Sequence, residues 1–104
     1  MKNKLNGYDI DGVLASGIKP EKPYIVISGR SRYWWDSMKE KVGLDAPIYL
    51  DPMMDKEYSK ERSYYWKTLV INRAGVTTFY EDDEVQAKFI RENCPNCKVI
   101  IIKK

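Results

Sequence analysis

The stretch "PYIVISGR", Pro23 to Arg30, decides how the rest of the chain is read. Its four consecutive apolar residues, Tyr24 to Ile27, offer no polar face to solvent, and the run stops at Ser28 and Gly29. A short unbroken run of β-branched and aromatic residues is the pattern of a strand covered on both faces, as strands of parallel sheets are. Such a strand needs helices above and below it, and the pattern outward from it supplies the alternation.

On the amino-terminal side, "LNGYDI" at about 5–10 reads as a first, weaker strand interrupted by Asn6 and Gly7. On the other side, a helix is predicted from Ser31 to Val42, capped by Ser31 and stopped by Gly43, with Trp34, Trp35, Met38 and Val42 on its apolar face. "APIYL" at 46–50 is a third strand, and "DPMMDKEYSK" a loop. A helix follows from Lys60 to Ala74, ended by Gly75, with Tyr65, Trp66, Leu69 and Val70 expected inward. "VTTFYE", 76–81, is a strand closed by Asp82 and Asp83. A helix then runs from Asp83 to Asn93 with Val85, Phe89 and Ile90 inward and Pro95 as a stop, and "KVIIIK" is a fifth strand. The expected fold is α/β: one domain over residues 1–104, a Rossmann-like three-layer sandwich with a five-stranded, mainly parallel sheet.

Composition narrows the chemistry. With 43% hydrophobic and 32% charged residues the chain has the makings of a folded core, and its net charge of +3 suits a phosphorylated partner without requiring one. No apolar run approaches the ~20 residues of a membrane span, and "MKNKLNG" lacks the apolar centre of a signal peptide, so a cytoplasmic protein is expected. There is no histidine, which removes Ser–His and Cys–His nucleophile pairs and half the usual ligands of a zinc site. Carboxylates, lysine, arginine, tyrosine and two thiols are left.

The carboxylates converge. In an open parallel sheet, ligands bind beyond the carboxyl ends of the strands. Asp9 and Asp11 end the first predicted strand, Ser28 the second, and Asp82 with Asp83 the fourth; Lys67 lies on the helix before that fourth strand. A strand period of two puts Asp9 and Asp11 on one face. Crowded carboxylates call for a hard cation with oxygen ligands, such as Mg²⁺. A calcium loop starting at Asp9 does not fit, because Val13 and Gly17 stand where ligands are needed.

In their order and spacing these stretches resemble the haloacid dehalogenase (HAD) superfamily of phosphohydrolases over nearly the whole chain. "DIDGV" looks like its first motif, "IVISGR" its second, and "WKTLVINRAGVTTFYEDD" its third and fourth. The resemblance implies that Asp9 is the nucleophile and Asp11 the general acid and base. It implies that Lys67 holds Asp9 and phosphate together, and that Ser28, with Gly29 and Arg30 beside it, binds the phosphoryl group. Mg²⁺ would lie between Asp9, the Asp11 carbonyl and either Asp82 or Asp83, a choice "EDDE" leaves open. It further implies a Mg²⁺-dependent phosphatase acting on a phosphate monoester. Because residues 14–23 are too short for a cap, the chain looks like a minimal, capless member, and an open site suits a nucleotide or nucleic-acid terminus.

Plainer readings stand beside these. A catalytically weak domain of the same fold that binds a phosphorylated partner or nucleic acid is the rival function, and transfer to an acceptor other than water is another. "EDDE" is also an acidic helix start favoured by the helix dipole. The aromatic and basic stretches "RSRYWWDSMK" and "KERSYYWK" invite stacking on bases, although Trp34, Trp35 and Trp66 read more simply as sheet packing. "CPNC", Cys94 to Cys97, is a helix end and turn rather than a redox pair. Open sheet edges and abundant tyrosine would suit a homodimer.

Overall fold

A computed structural model of the chain describes residues 4–10, 12–31, 47–51 and 60–103, and at 30, 31, 51, 60 and 61 the backbone alone. Five strands form one sheet: β1 (Asn6–Tyr8), β2 (Tyr24–Ser31), β3 (Ile48–Asp51), β4 (Thr78–Glu81) and β5 (Lys98–Ile101). Their order is β3-β2-β1-β4-β5 and every neighbouring pair is parallel. The chain thus starts in the middle of the sheet, steps outward to one edge, returns past β1 and steps out to the other. Two helices, α1 (Lys60–Ala74) and α2 (Glu84–Asn93), make the connections to β4 and β5. The architecture is the expected Rossmann-like α/β one, with the sheet parallel throughout.

Strand alternation sorts the core into two layers. Ile25 and Ile27 of β2, Phe79 of β4 and Val99 of β5 meet Val70 and Ile71 of α1 and Ala87 and Ile90 of α2 on one face. Tyr8, Tyr24 and Val26 point to the other, where Ile10, Val13 and Leu14 fold back over them. A single 3₁₀ turn, Leu14–Ser16, closes at Gly17 in the left-handed region. The helix expected over 31–42 and its tryptophans lie outside the described residues, apart from Ser31.

Ser31 is a strand residue rather than a helix cap. β2 runs on from Ser28 through Gly29 to Ser31, which pairs with Asp51 after a register shift that begins past Ile27. Gly29 makes this extension fit: the Ser63 hydroxyl of α1 stands where its Cβ would be. β1 is shorter than expected, because Leu14 N donates to Asp9 O (3.2 Å) and Ala15 N to Ile10 O (2.9 Å), turning the chain at Ile10. Asp11, expected on the same face as Asp9, lies outside the described residues.

α1 has the predicted bounds and a different inward stripe. Ser63, Lys67, Thr68, Val70 and Ile71 are buried, whereas Tyr65 and Leu69 are exposed and Trp66 is only partly covered. The apolar pattern misled because three polar residues, Ser63, Lys67 and Thr68, are among the buried ones. In α2 the buried residues are Ala87 and Ile90, and Val85 is exposed. Tyr64 and Tyr65 instead pack against Phe89, with ring centroids 5.6 and 5.3 Å away. No helix among the described residues is long and apolar enough to cross a membrane.

Candidate functional site

The site grows out of the middle of the sheet. β1 lies between β2 and β4 with Tyr8 level with Val26 and with Tyr80. One residue further along, Asp9 N donates to Tyr80 O (3.2 Å), so Asp9 stands beside Glu81 at the carboxyl edge. Both residues follow their strands' alternation: Tyr8 and Tyr80 turn to one face, Asp9 and Glu81 to the face covered by helices. Two buried carboxylates are thereby placed side by side, where like charges repel.

Lys67 answers that repulsion. Midway along α1 and buried, it places Nζ 2.9 Å from Glu81 Oε2 and 3.4 Å from Asp9 Oδ1, and donates to Gln86 Oε1 of α2 at 2.7 Å. Burial alone would lower the lysine's pKa; the adjacent Asp9 and Glu81 charges outweigh it and hold the ammonium above its ordinary value. Glu81 is pushed up to about 8, first by burial and then by the Asp9 charge, with Lys67 pulling the other way. One ammonium does not neutralise two buried acids.

Asp82 adds a third. Oxygens of Asp9, Glu81 and Asp82 all lie within 4.8 Å of one another. Both Glu81 oxygens have protein donors: Oε2 accepts from Lys67, and Oε1 from the amides of Asp82 (3.1 Å) and Asp83 (3.4 Å). The three carboxylates together make an all-oxygen donor set of the kind a hard cation takes. Gly12 is shaped by the same acid. Its φ is 77°, and a Cβ there would run into the Asp82 carboxylate.

Asp83, the other candidate from "EDDE", is placed differently. It is the N-cap of α2, its Oδ1 accepting from the amides of Val85 (2.8 Å) and Gln86 (3.3 Å). The acidic-helix-start reading describes Asp83 and Glu84, while Asp82 turns to Asp9. Ser28 is buried at the end of the β2 stretch level with Asp9 and Ile10, and Gly29 continues toward α1. The structure brings Asp9, Lys67 and Asp82 together and sets Ser28 at the same end of the sheet, while Asp11 and the Arg30 side chain lie outside the described residues.

Glu81 and Gln86 are site residues that the sequence reading missed. Glu81 had a signal: it is two residues from Phe79, so a strand with Phe79 inward puts Glu81 inward too. Gln86 had none, since its partner comes from a helix 19 positions earlier. "CPNC" is the turn it was expected to be: Cys94 is buried at the end of α2 and Cys97 N donates to its carbonyl (3.1 Å). Burial and then the neighbouring Cys94 push the Cys97 thiol up to about 12, the opposite of a reactive thiolate. Set against known protein families, curated proteins and solved structures, the chain shows no significant match.

Proposed function

We propose that the chain is a HAD-type phosphatase, hydrolysing a phosphate monoester through an aspartyl-phosphate at Asp9. The observation that carries this reading is the pairing of Asp9 with Glu81 around a buried Lys67, with the Asp82 carboxylate alongside. A purely structural ion pair has no use for the extra acids. A phosphoryl-transfer site does, because it needs a nucleophile, a fixed cation and carboxylates for a metal.

In the first step an Asp9 oxygen attacks phosphorus in line, the bond to the leaving oxygen breaks, and Asp11 gives that oxygen its proton. In the second, Asp11 takes a proton from water, the water oxygen attacks phosphorus, and the bond to Asp9 breaks to return the carboxylate and free phosphate. Lys67 keeps Asp9 ionised and in place, and the Ser28 hydroxyl donates to a phosphoryl oxygen, with Gly29 and Arg30 following it along the strand. Mg²⁺ held by Asp9 and Asp82 would supply the charge that offsets the dianionic phosphoryl group. The lack of room for a cap between Leu14 and Pro23 favours a nucleotide or nucleic-acid end as substrate, in the cytoplasm.

The test is release of phosphate from a generic aryl phosphate, and from nucleotides and 3′- or 5′-phosphorylated oligonucleotides, with and without Mg²⁺. Metal-dependent turnover by the native protein that disappears in Asp9→Asn is the expected result. Silence across the whole panel would replace this reading with that of a domain that binds a phosphorylated partner.

A further inference from the structure

The Lys67 ammonium has three N–H bonds and three partners among the described residues, and the closest partner is the uncharged one. Gln86 Oε1 is 2.7 Å away, against 2.9 Å for Glu81 Oε2 and 3.4 Å for Asp9 Oδ1. An ammonium can only donate, so the Gln86 amide must turn its carbonyl inward and its NH₂ away from Lys67. The backbone of Gln86 is fixed as well, because its amide is capped by Asp83 in the first turn of α2. The lysine of one helix is therefore gripped by the other helix, not only by the strands.

The geometry points to Gln86 as a positioning residue: with Glu81 it draws the ammonium off the nucleophile, so that Asp9 keeps a neighbouring cation without being locked into a tight ion pair. The functional half of this inference rests on the reading of Asp9 as nucleophile. Remove the Gln86 oxygen and Lys67 is left with two carboxylates, so that Glu81 alone among the described residues opposes a closer approach to Asp9. A carboxylate in a short, charge-assisted contact has its lone pairs engaged and is a poorer nucleophile. Its ammonium partner is also less available to a phosphoryl oxygen. The step affected is attack on phosphorus, not substrate binding.

Two readouts separate the inference from the phosphatase reading. In metal-free protein labelled with ¹⁵N-lysine, the Lys67 ammonium, assigned by its absence from Lys67→Arg, should exchange its protons slowly. Gln86→Met, which keeps side-chain length and removes the acceptor, should speed that exchange about tenfold, while Gln86→Glu should keep it slow. With a turned-over substrate, Gln86→Met should lower kcat about tenfold with KM within about twofold, and Gln86→Glu should recover part of the loss. Unchanged ammonium exchange in Gln86→Met overturns the inference outright. So does altered exchange with unchanged kcat, which would make the contact structural only. A native protein that turns nothing over yet shows the exchange difference refutes the phosphatase reading and leaves Gln86 as the residue that holds Lys67.

Discussion

Tyr8 and Tyr80, the last pair between β1 and β4, and Asp9 and Glu81, the residues that follow them, differ in energetics as sharply as neighbours can. Tyr8 and Tyr80 stack with ring centroids 4.5 Å apart and planes 6° from parallel, and the Tyr8 hydroxyl accepts from Glu21 N at 3.0 Å. One residue further on, the pair is Asp9 and Glu81, two acids buried on the opposite face. The first pair holds the strands together through apolar contact and needs nothing else. The second would push them apart, and its existence depends on a cation delivered from α1. Adjacent positions along two neighbouring chain segments can thus hold a packed ring pair and a buried charged cluster separately, because alternation sends them to different layers.

The largest expected effect comes from breaking the second pair. Lys67→Met should cost about 3–5 kcal/mol of unfolding free energy, measured by urea titration, since it leaves two buried carboxylates with no cation. A loss below about 1 kcal/mol would mean that the acids are held apart by something other than Lys67, and the contrast between the pairs would collapse. Tyr8→Leu should cost less, about 1–2 kcal/mol, through the stack and the hydrogen bond to Glu21, and should leave the affinity of the proposed Mg²⁺ site, by calorimetry, unchanged. A parallel fall in metal affinity would show that the two faces are not independent. Smallest of all should be Glu81→Gln, within about 1 kcal/mol of the native stability by the same titration. The amide keeps an acceptor for Lys67 and removes a charge that burial disfavours, which offsets most of what is lost where its NH₂ replaces the Oε1 that accepts from the Asp82 and Asp83 amides. A large loss there would identify the Lys67–Glu81 ion pair, rather than Lys67 with Asp9, as what holds this layer.

Much of this arrangement was readable from the residues, and the rest fails for physical reasons. The run Tyr24–Ile27 gave away a strand buried on both faces, and the acidic ends of the first and fourth strands pointed to the edge where Asp9 and Asp82 meet. Lys67 could be placed by its helix, but its burial could not, because a lysine and a serine on the sheet-facing stripe look like surface residues when Tyr65, Trp66 and Leu69 compete for that role. The end of β2 was misjudged because Ser28-Gly29 reads as a turn; only the arrival of Ser63 shows why glycine is needed inside a strand. Asp82 and Asp83 are indistinguishable in sequence and are separated by which of them begins the helix.

The contact between Gly29 and Ser63 has a further consequence, for how this chain can diverge. Positions 29 and 63 share a single allotment of volume, since the hydroxyl of one fills the space a side chain on the other would claim. Residue 29 can grow only in a lineage that has already shrunk residue 63, and the reverse order is barred at the first step. Among diverged descendants the two columns should change together or not at all, although 34 positions of sequence separate them.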